Sequence, residues 1–119
     1  MKALPIPKNE QLIGIINDKF FDILEMYIPD ISVVDIRKYI TISKIDIINY
    51  LKSNPALAED FFQRHIINNS FKHDIDIIEK HNNNYYISWL DHGVRKFRKK
   101  FNNKFEAIAE YILMNLGLL

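Results

Sequence analysis

The apolar residues of this chain change period near residue 72, from helical spacing before it to strand-like alternation after it. A period of about 3.6 commits a segment to burying one stripe of a helix, and a period of about 2 commits it to burying one face of a sheet. The change therefore divides the chain into a helical part and a sheet part, and 119 residues leave room for one core between them. The expected fold is α+β in a single domain over residues 1–119: a helical N-terminal part, a three-stranded antiparallel β-meander and a C-terminal helix.

After Pro5 and Pro7, a helix from Asn9 to Ile28 would place Leu12, Ile13, Ile16, Phe20, Ile23, Leu24 and Tyr27 on one wide face, with Gln11, Asp18, Asp22 and Glu25 opposite. Pro29 ends it, because proline disfavours helical geometry in the residue before it. Ser32 and Ser43 each stand three residues before an aspartate, Asp35 and Asp46. That spacing satisfies the orphan amides of a helix start and predicts short helices over 33–40 and 44–53. Asn54 followed by Pro55 opens a fourth helix, to Ile67. Beyond Lys72, the segments DIDIIEK, YYISWLD and VRKFRKKF read as strands within 74–101. His92-Gly93 supplies a tight turn, and Asn82 to Asn84 a looser one. Asn103, with Glu106 three residues later, caps a last helix whose core stripe is Phe105, Ile108, Ile112 and Leu116. The other flank of that helix is also apolar, which predicts packing against both the sheet and the N-terminal helices.

Sixteen basic and fifteen acidic side chains give a formal charge of +1, so no global field draws the chain to nucleic acid, anionic lipid or a strongly charged substrate. With no cysteine there are no disulfides, thiolate metal sites or cysteine nucleophiles, and the opening MKALPIPKNEQ lacks the apolar core of a signal peptide. The cytoplasm is the expected compartment, and no membrane partner is expected. The four histidines, His65, His73, His81 and His92, invite a metal reading, above all in HDIDIIEKH. On a strand, however, His73, Glu79 and His81 share a face with Ile75 and Ile77, with same-face neighbours about 7 Å apart, whereas ligands must lie within about 2 Å of one ion. No metal site and no cofactor is expected. The glycine-rich phosphate loops, the nucleophile elbow and the zinc-helix pattern are all missing from the sequence, so no enzyme and no small-molecule substrate is expected. A small metal-independent ribonuclease stays open as a second alternative, because histidines and lysines can serve as acid, base and phosphate clamp.

Arg95, Lys96, Arg98, Lys99 and Lys100, interleaved with Phe97 and Phe101, form the strongest local run of charge. Basic residues among aromatics can grip nucleic acid by phosphate pairing and base stacking. The preferred reading is an edge strand whose lysines block aggregation while Phe97 and Phe101 pack inward and the acids of DIDIIEK pair across the sheet. Nucleic acid is thereby disfavoured as a partner. The stretch SVVDIRKYITISKIDIINYLKSN looks like two short helices joined by a tight turn, with a hairpin downstream as a wing. A winged helix-turn-helix DNA-binding regulator is accordingly the first alternative. Its second helix offers Lys44, Asp46, Asn49 and Lys52 but no arginine, the commonest guanine reader.

The C-terminal unit runs from Tyr85-Tyr86-Ile87-Ser88-Trp89-Leu90-Asp91-His92-Gly93 through a charged strand ending in Phe101 to Phe105-Glu106-Ala107 and Tyr111-Ile112. It resembles small bacterial immunity proteins of contact-dependent growth inhibition and polymorphic toxin systems. Many of these end in an aromatic strand, an acid-x-Gly turn, a strand closing on Phe and a helix of this type. The resemblance implies a non-enzymatic inhibitor that binds a cognate toxin C-terminal domain, most often a cationic nuclease, and covers its active site. Such an inhibitor would present carboxylates. Asp18, Asp22 and Glu25 meet that description on the outer face of the first helix, with Ile15 and Met26 beside them as apolar anchors. The plainer reading of each acid is a solvated helix face.

Overall fold

The first amphipathic run folds as two helices, α1 (Lys8–Ile16) and α2 (Phe20–Glu25), where its spacing predicts one. The computed structural model describes residues 2–30, 35–69, 76–92 and 94–119. Asp18 breaks the helix by taking a left-handed φ of 57°, and the N–H of Lys19 reaches back to the carbonyl of Gly14 at 2.7 Å. This is the six-to-one bond of a Schellman termination, with Asp18, a residue type that tolerates the left-handed region, at the crossing point. Gly14 lets the reversal close: a Cβ there would meet Ile23 Cδ1 at 2.8 Å and Phe20 Cα at 3.1 Å.

The helix expected over 33–40 is a four-residue 3₁₀ turn, Ile36–Tyr39. Its cap is Asp35, whose carboxylate accepts the N–H of Arg37 at 3.1 Å; Ser32, the expected cap, lies outside the described residues. Helix α3 (Lys44–Ser53) starts where its spacing predicts. Ser43 Oγ accepts the N–H of Asp46 at 3.2 Å and the Asp46 carboxylate accepts the N–H of Ser43 at 2.9 Å, a reciprocal capping box. Helix α4 (Pro55–Asn69) follows directly.

Strands β1 (Asp76–His81), β2 (Asn84–Asp91) and β3 (Val94–Phe101) form an antiparallel meander in the order β1-β2-β3. His81 opposes Asn84 and Asp91 opposes Val94, so both connections are two residues long. The Asn82–Asn84 link is therefore as tight as the other. Each turn opens on a residue with positive φ, Asn82 at 56° and His92 at 51°; Gly93 lies outside the described residues. Between β2 and β3 the register slips: Ile87 opposes Lys99 but Ser88 opposes Phe97, leaving residue 98 as the extra one of a bulge.

Helix α5 (Lys104–Asn115), capped by Asn103 accepting the N–H of Phe105 at 2.7 Å, is the hub of the molecule. It packs against α3, α4 and all three strands, as its doubly apolar surface predicts. Ala107, Ile108, Tyr111, Ile112 and Leu113 meet Ile78, Ile87 and Phe101 of the sheet together with Ile47, Leu51, Phe61 and Ile16 of the helices in one core. Ile77 and Ser88, which oppose each other on the other face of the sheet, are also buried. Two polar groups tie the layers together. Gln11 Nε2 donates to the Ile6 carbonyl at 2.8 Å and to Thr41 Oγ1 at 2.9 Å, while its Oε1 accepts the N–H of Thr41 at 2.8 Å. Glu110, only 8% exposed, accepts from Lys44 of α3 and Lys99 of β3, both at 3.0 Å. No helix among the described residues is long and apolar enough to cross a membrane.

Candidate functional site

The α1–α2 turn, α4 and the end of α5 surround a cavity of about 440 Å³. Helical spacing builds its α4 wall, because Phe61 and His65 stand at i and i+4 and share a face. The His65 ring stacks on Phe61 with centroids 4.1 Å apart, and meets Tyr111 of α5 edge-on at 5.5 Å. The Arg64 guanidinium lies 5.7 Å from the centre of the Phe61 ring. Phe20, Phe21, Ile15, Ile112 and Leu116 line it as well, with Asn115 one turn beyond Tyr111.

Asp18 reaches this wall from the chain reversal. Its Oδ2 accepts a hydrogen bond from Arg64 Nη1 and lies 3.0 Å from His65 Nε2. Arg64 is held further by Asp60 at 2.9 Å and by the carbonyl of Ile16 at 2.9 Å. An acid and a histidine in one cavity, with an arginine bonded to the acid, are the groups a small ribonuclease would use. Here, however, three guanidinium donors already point at acceptors inside the protein, so Arg64 is a brace between helices and not an open phosphate clamp. Asp18 Oδ1 and the Asn115 carboxamide have no hydrogen-bond partner among the described residues, and both residues line the cavity.

The residues expected to meet a partner separate into three groups. Asp18 does not share a helix face with Asp22 and Glu25, because the chain turns at Asp18 itself. Ile15 is 5% exposed and lies in the core, so it is not an anchor at the surface. Asp22, Glu25 and Met26 remain on the outside of α2, and Phe21 joins them at 53% exposure, beside Met26 at 46%. Asp22 and Glu25 have no ion pair or side-chain hydrogen bond among the described residues. Phe21 stands about 100° round the helix from buried Phe20 and outside the stripe of Phe20, Ile23, Leu24 and Tyr27, so its exposure follows from helical spacing within α2. The signal for the chain reversal is Asn17-Asp18, two residues suited to a helix stop.

The basic run is largely neutralised. Arg95 pairs with Glu79, Lys96 with Asp91 at 3.1 Å and Lys99 with Glu110 at 2.9 Å. Burial pushes the Glu110 carboxyl up, but hydrogen bonds from Lys99 and Lys44, with their charges, outweigh it and hold the group below the usual carboxylate range. Lys100 is exposed, and the side chains of Phe97 and Arg98 lie outside the described residues. Because β2 stands between β1 and β3, the acids of β1 are not direct neighbours of the basic strand, yet Glu79 still reaches Arg95. The helix-turn-helix pattern keeps only its second helix. In α3, Lys44 is bound to Glu110, and Asp46 to its cap and to Lys8 at 3.6 Å, leaving Asn49 and Lys52 as exposed polar groups. Among the described residues no three histidine or carboxylate side chains converge on a metal position; His73 lies outside them. His81 is exposed, 3.9 Å from Glu79, and His92 is exposed in its turn, 3.6 Å from Asp91. Comparison with models of known protein families, with curated proteins and with solved structures finds no match.

Proposed function

We propose that the chain is an immunity-type inhibitor, without catalytic activity of its own, that binds a cationic nuclease domain of a cognate bacterial toxin in the cytoplasm and blocks its active site. The observation that carries this reading is the outer face of α2, where exposed Phe21 and Met26 stand beside the unpaired carboxylates of Asp22 and Glu25. Large apolar side chains at a surface supply the anchors that dominate interface energy, and unpaired carboxylates steer a basic partner into register.

The test is to sequence the neighbouring genes for a toxin domain and to co-express any such domain with this chain. A stable one-to-one complex and survival of the host support the reading. A specific shift of the gene's own promoter DNA, without toxin binding, would establish the regulator in its place. Nuclease activity of the purified chain, lost on replacing His65, would establish the ribonuclease.

A further inference from the structure

We propose that the surface that meets the basic protein partner continues from α2 over residues 2–6, an N-terminal strap fastened to the end of that helix, a step that rests on the partner-binding reading above. The size of α2 requires an extension. Six helical residues rise only about 9 Å, whereas a stable protein interface takes about 20–30 residues from each side. At about 100° per residue, Asp22 and Glu25 lie at the centre of the outward face of α2, with Phe21 on one flank and Met26 on the other. Beyond Phe21, its exposed neighbours around the cavity, Asp18 and Asn115, are polar. Beyond Met26 lies the strap. The N–H of Lys2 donates to the Met26 carbonyl at 2.8 Å, and at the other end Ile6 is buried in the core with its carbonyl accepting from Gln11 Nε2 at 2.8 Å. Fixed at both ends, the strap leaves Ala3, Leu4 and Pro5 exposed between them, Leu4 at 49%. An exposed leucine on a segment tied to Met26 adds an apolar anchor to that flank.

Lys2 would oppose a basic partner if its charge were free, and Glu10 prevents that. Glu10 Oε1 accepts from Lys2 Nζ at 3.3 Å while Oε2 accepts the Tyr27 hydroxyl at 2.8 Å, and the ammonium lies 5.8 Å from the centre of the Tyr27 ring. Tyr27 follows Met26 directly and is buried, so one carboxylate both clasps the strap to the end of α2 and offsets the only cation on it. Glu10 is therefore a positioning residue for this surface. With Lys2 paired, the two carboxylates of Asp22 and Glu25 stand against Lys19 at the start of α2, and the balance favours a basic partner over an acidic one.

The extended surface is tested on the full chain at low salt, by NMR titration with an amphipathic peptide of lysine and leucine at helical spacing and, in parallel, its glutamate-for-lysine counterpart. The lysine peptide should give saturable shifts at Ala3, Leu4, Asp22, Glu25 and Met26, and the glutamate peptide should not. Leu4→Ser, at an exposed position that folding does not depend on, should weaken the lysine peptide several-fold. Glu10→Gln keeps Leu4 and both α2 carboxylates but loses the charge that holds Lys2. It should weaken the peptide by a similar factor and remove the shifts at Ala3 and Leu4 while those at Asp22 and Glu25 persist. Asp22→Lys with Glu25→Lys should weaken it about tenfold or more. Indifference to both Leu4→Ser and Glu10→Gln, with binding still lost on reversing the α2 carboxylates, overturns the strap and leaves partner binding through α2 standing. Equal binding of the two peptides, or indifference to the α2 reversal as well, overturns the strap together with the reading beneath it.

Discussion

Asp18 and His65, 47 positions apart in sequence, meet at 3.0 Å where the α1–α2 reversal is fastened to α4. The same aspartate carries the left-handed φ that makes the reversal, so one residue sets both the backbone path and its anchorage. The two roles separate by substitution. Asp18→Ala loses exposed ion pairs, which contribute up to about 1 kcal/mol, and keeps a Cβ in the left-handed region without the short polar side chain that eases it, where the full penalty is about 1–2 kcal/mol. Asp18→Gly loses the pairs but not the backbone fit. Urea unfolding should therefore show Gly at this position more stable than Ala by about 1 kcal/mol, at constant m. Equal stability of the two variants would mean that φ at this position carries no strain.

Gln11 should behave as a buried tie and not as a filler of space. Gln11→Leu keeps the approximate volume but strips partners from the Ile6 carbonyl and from the N–H and hydroxyl of Thr41. Each buried group left unpaired costs about 1–3 kcal/mol, and Thr41 is exposed enough for water to recover part of that. A loss of about 2–3 kcal/mol is expected. Thr41→Val should cost less, and the double variant should fall short of the sum by at least about 0.5 kcal/mol. Additive losses would show that the two residues do not act as one network.

Glu110 should make stability depend on pH in the acid range. Its folded carboxyl is held below the usual value by Lys99 and Lys44, so it binds protons less readily than the unfolded chain does. Its stabilising contribution is present above the unfolded value of about 4.3 and is lost as pH falls through the lower folded value. Parent and Glu110→Gln should therefore differ by a constant amount from neutrality down to about pH 5, and converge below about pH 4. A gap that stays constant to pH 3, or widens on acidification, would contradict the assignment.

How legible these features were depends on whether their cause is local. Ser43 with Asp46 and Asn103 at the last helix are caps, satisfied by neighbours a few residues away; α4 begins at Pro55 as that spacing predicts, while the Asn54 side-chain amide donates to the Tyr50 carbonyl of the preceding helix at 2.9 Å. The strands follow from alternation and from two-residue turns. The break at Asp18 is different. A polar turn and the polar face of a continuing helix both read as Asn-Asp-Lys; what decides between them is the close packing of Gly14 against Phe20 and the bracing by Arg64 and His65. Once the chain turns at Asp18, α1 orients independently of α2 and Ile15 faces the core. The cavity was hidden for the same reason, since its walls come from three helices brought together by the tertiary fold.

The α2 face offers the most direct test of recognition. Asp22→Lys with Glu25→Lys should leave stability within about 0.5 kcal/mol, because both side chains are exposed and unpaired. Association with a cationic toxin domain should slow by about tenfold or more at low salt, and the difference should shrink as salt rises. Phe21→Ala should act on dissociation instead, with a loss above about 1 kcal/mol if it seats in the partner. The control is chosen on the basic strand with care for folding. Lys99 holds Glu110 and Arg95 holds Glu79, so reversing them would confound binding with stability. Lys96 holds Asp91 in the same way, so Lys100→Glu is the control: it reverses a charge of that strand at an exposed position and leaves all three pairs intact. If the α2 variants protect cells as well as the parent while the folded Lys100→Glu variant fails, the partner docks on the β-meander and the acidic helix face is only solvated surface.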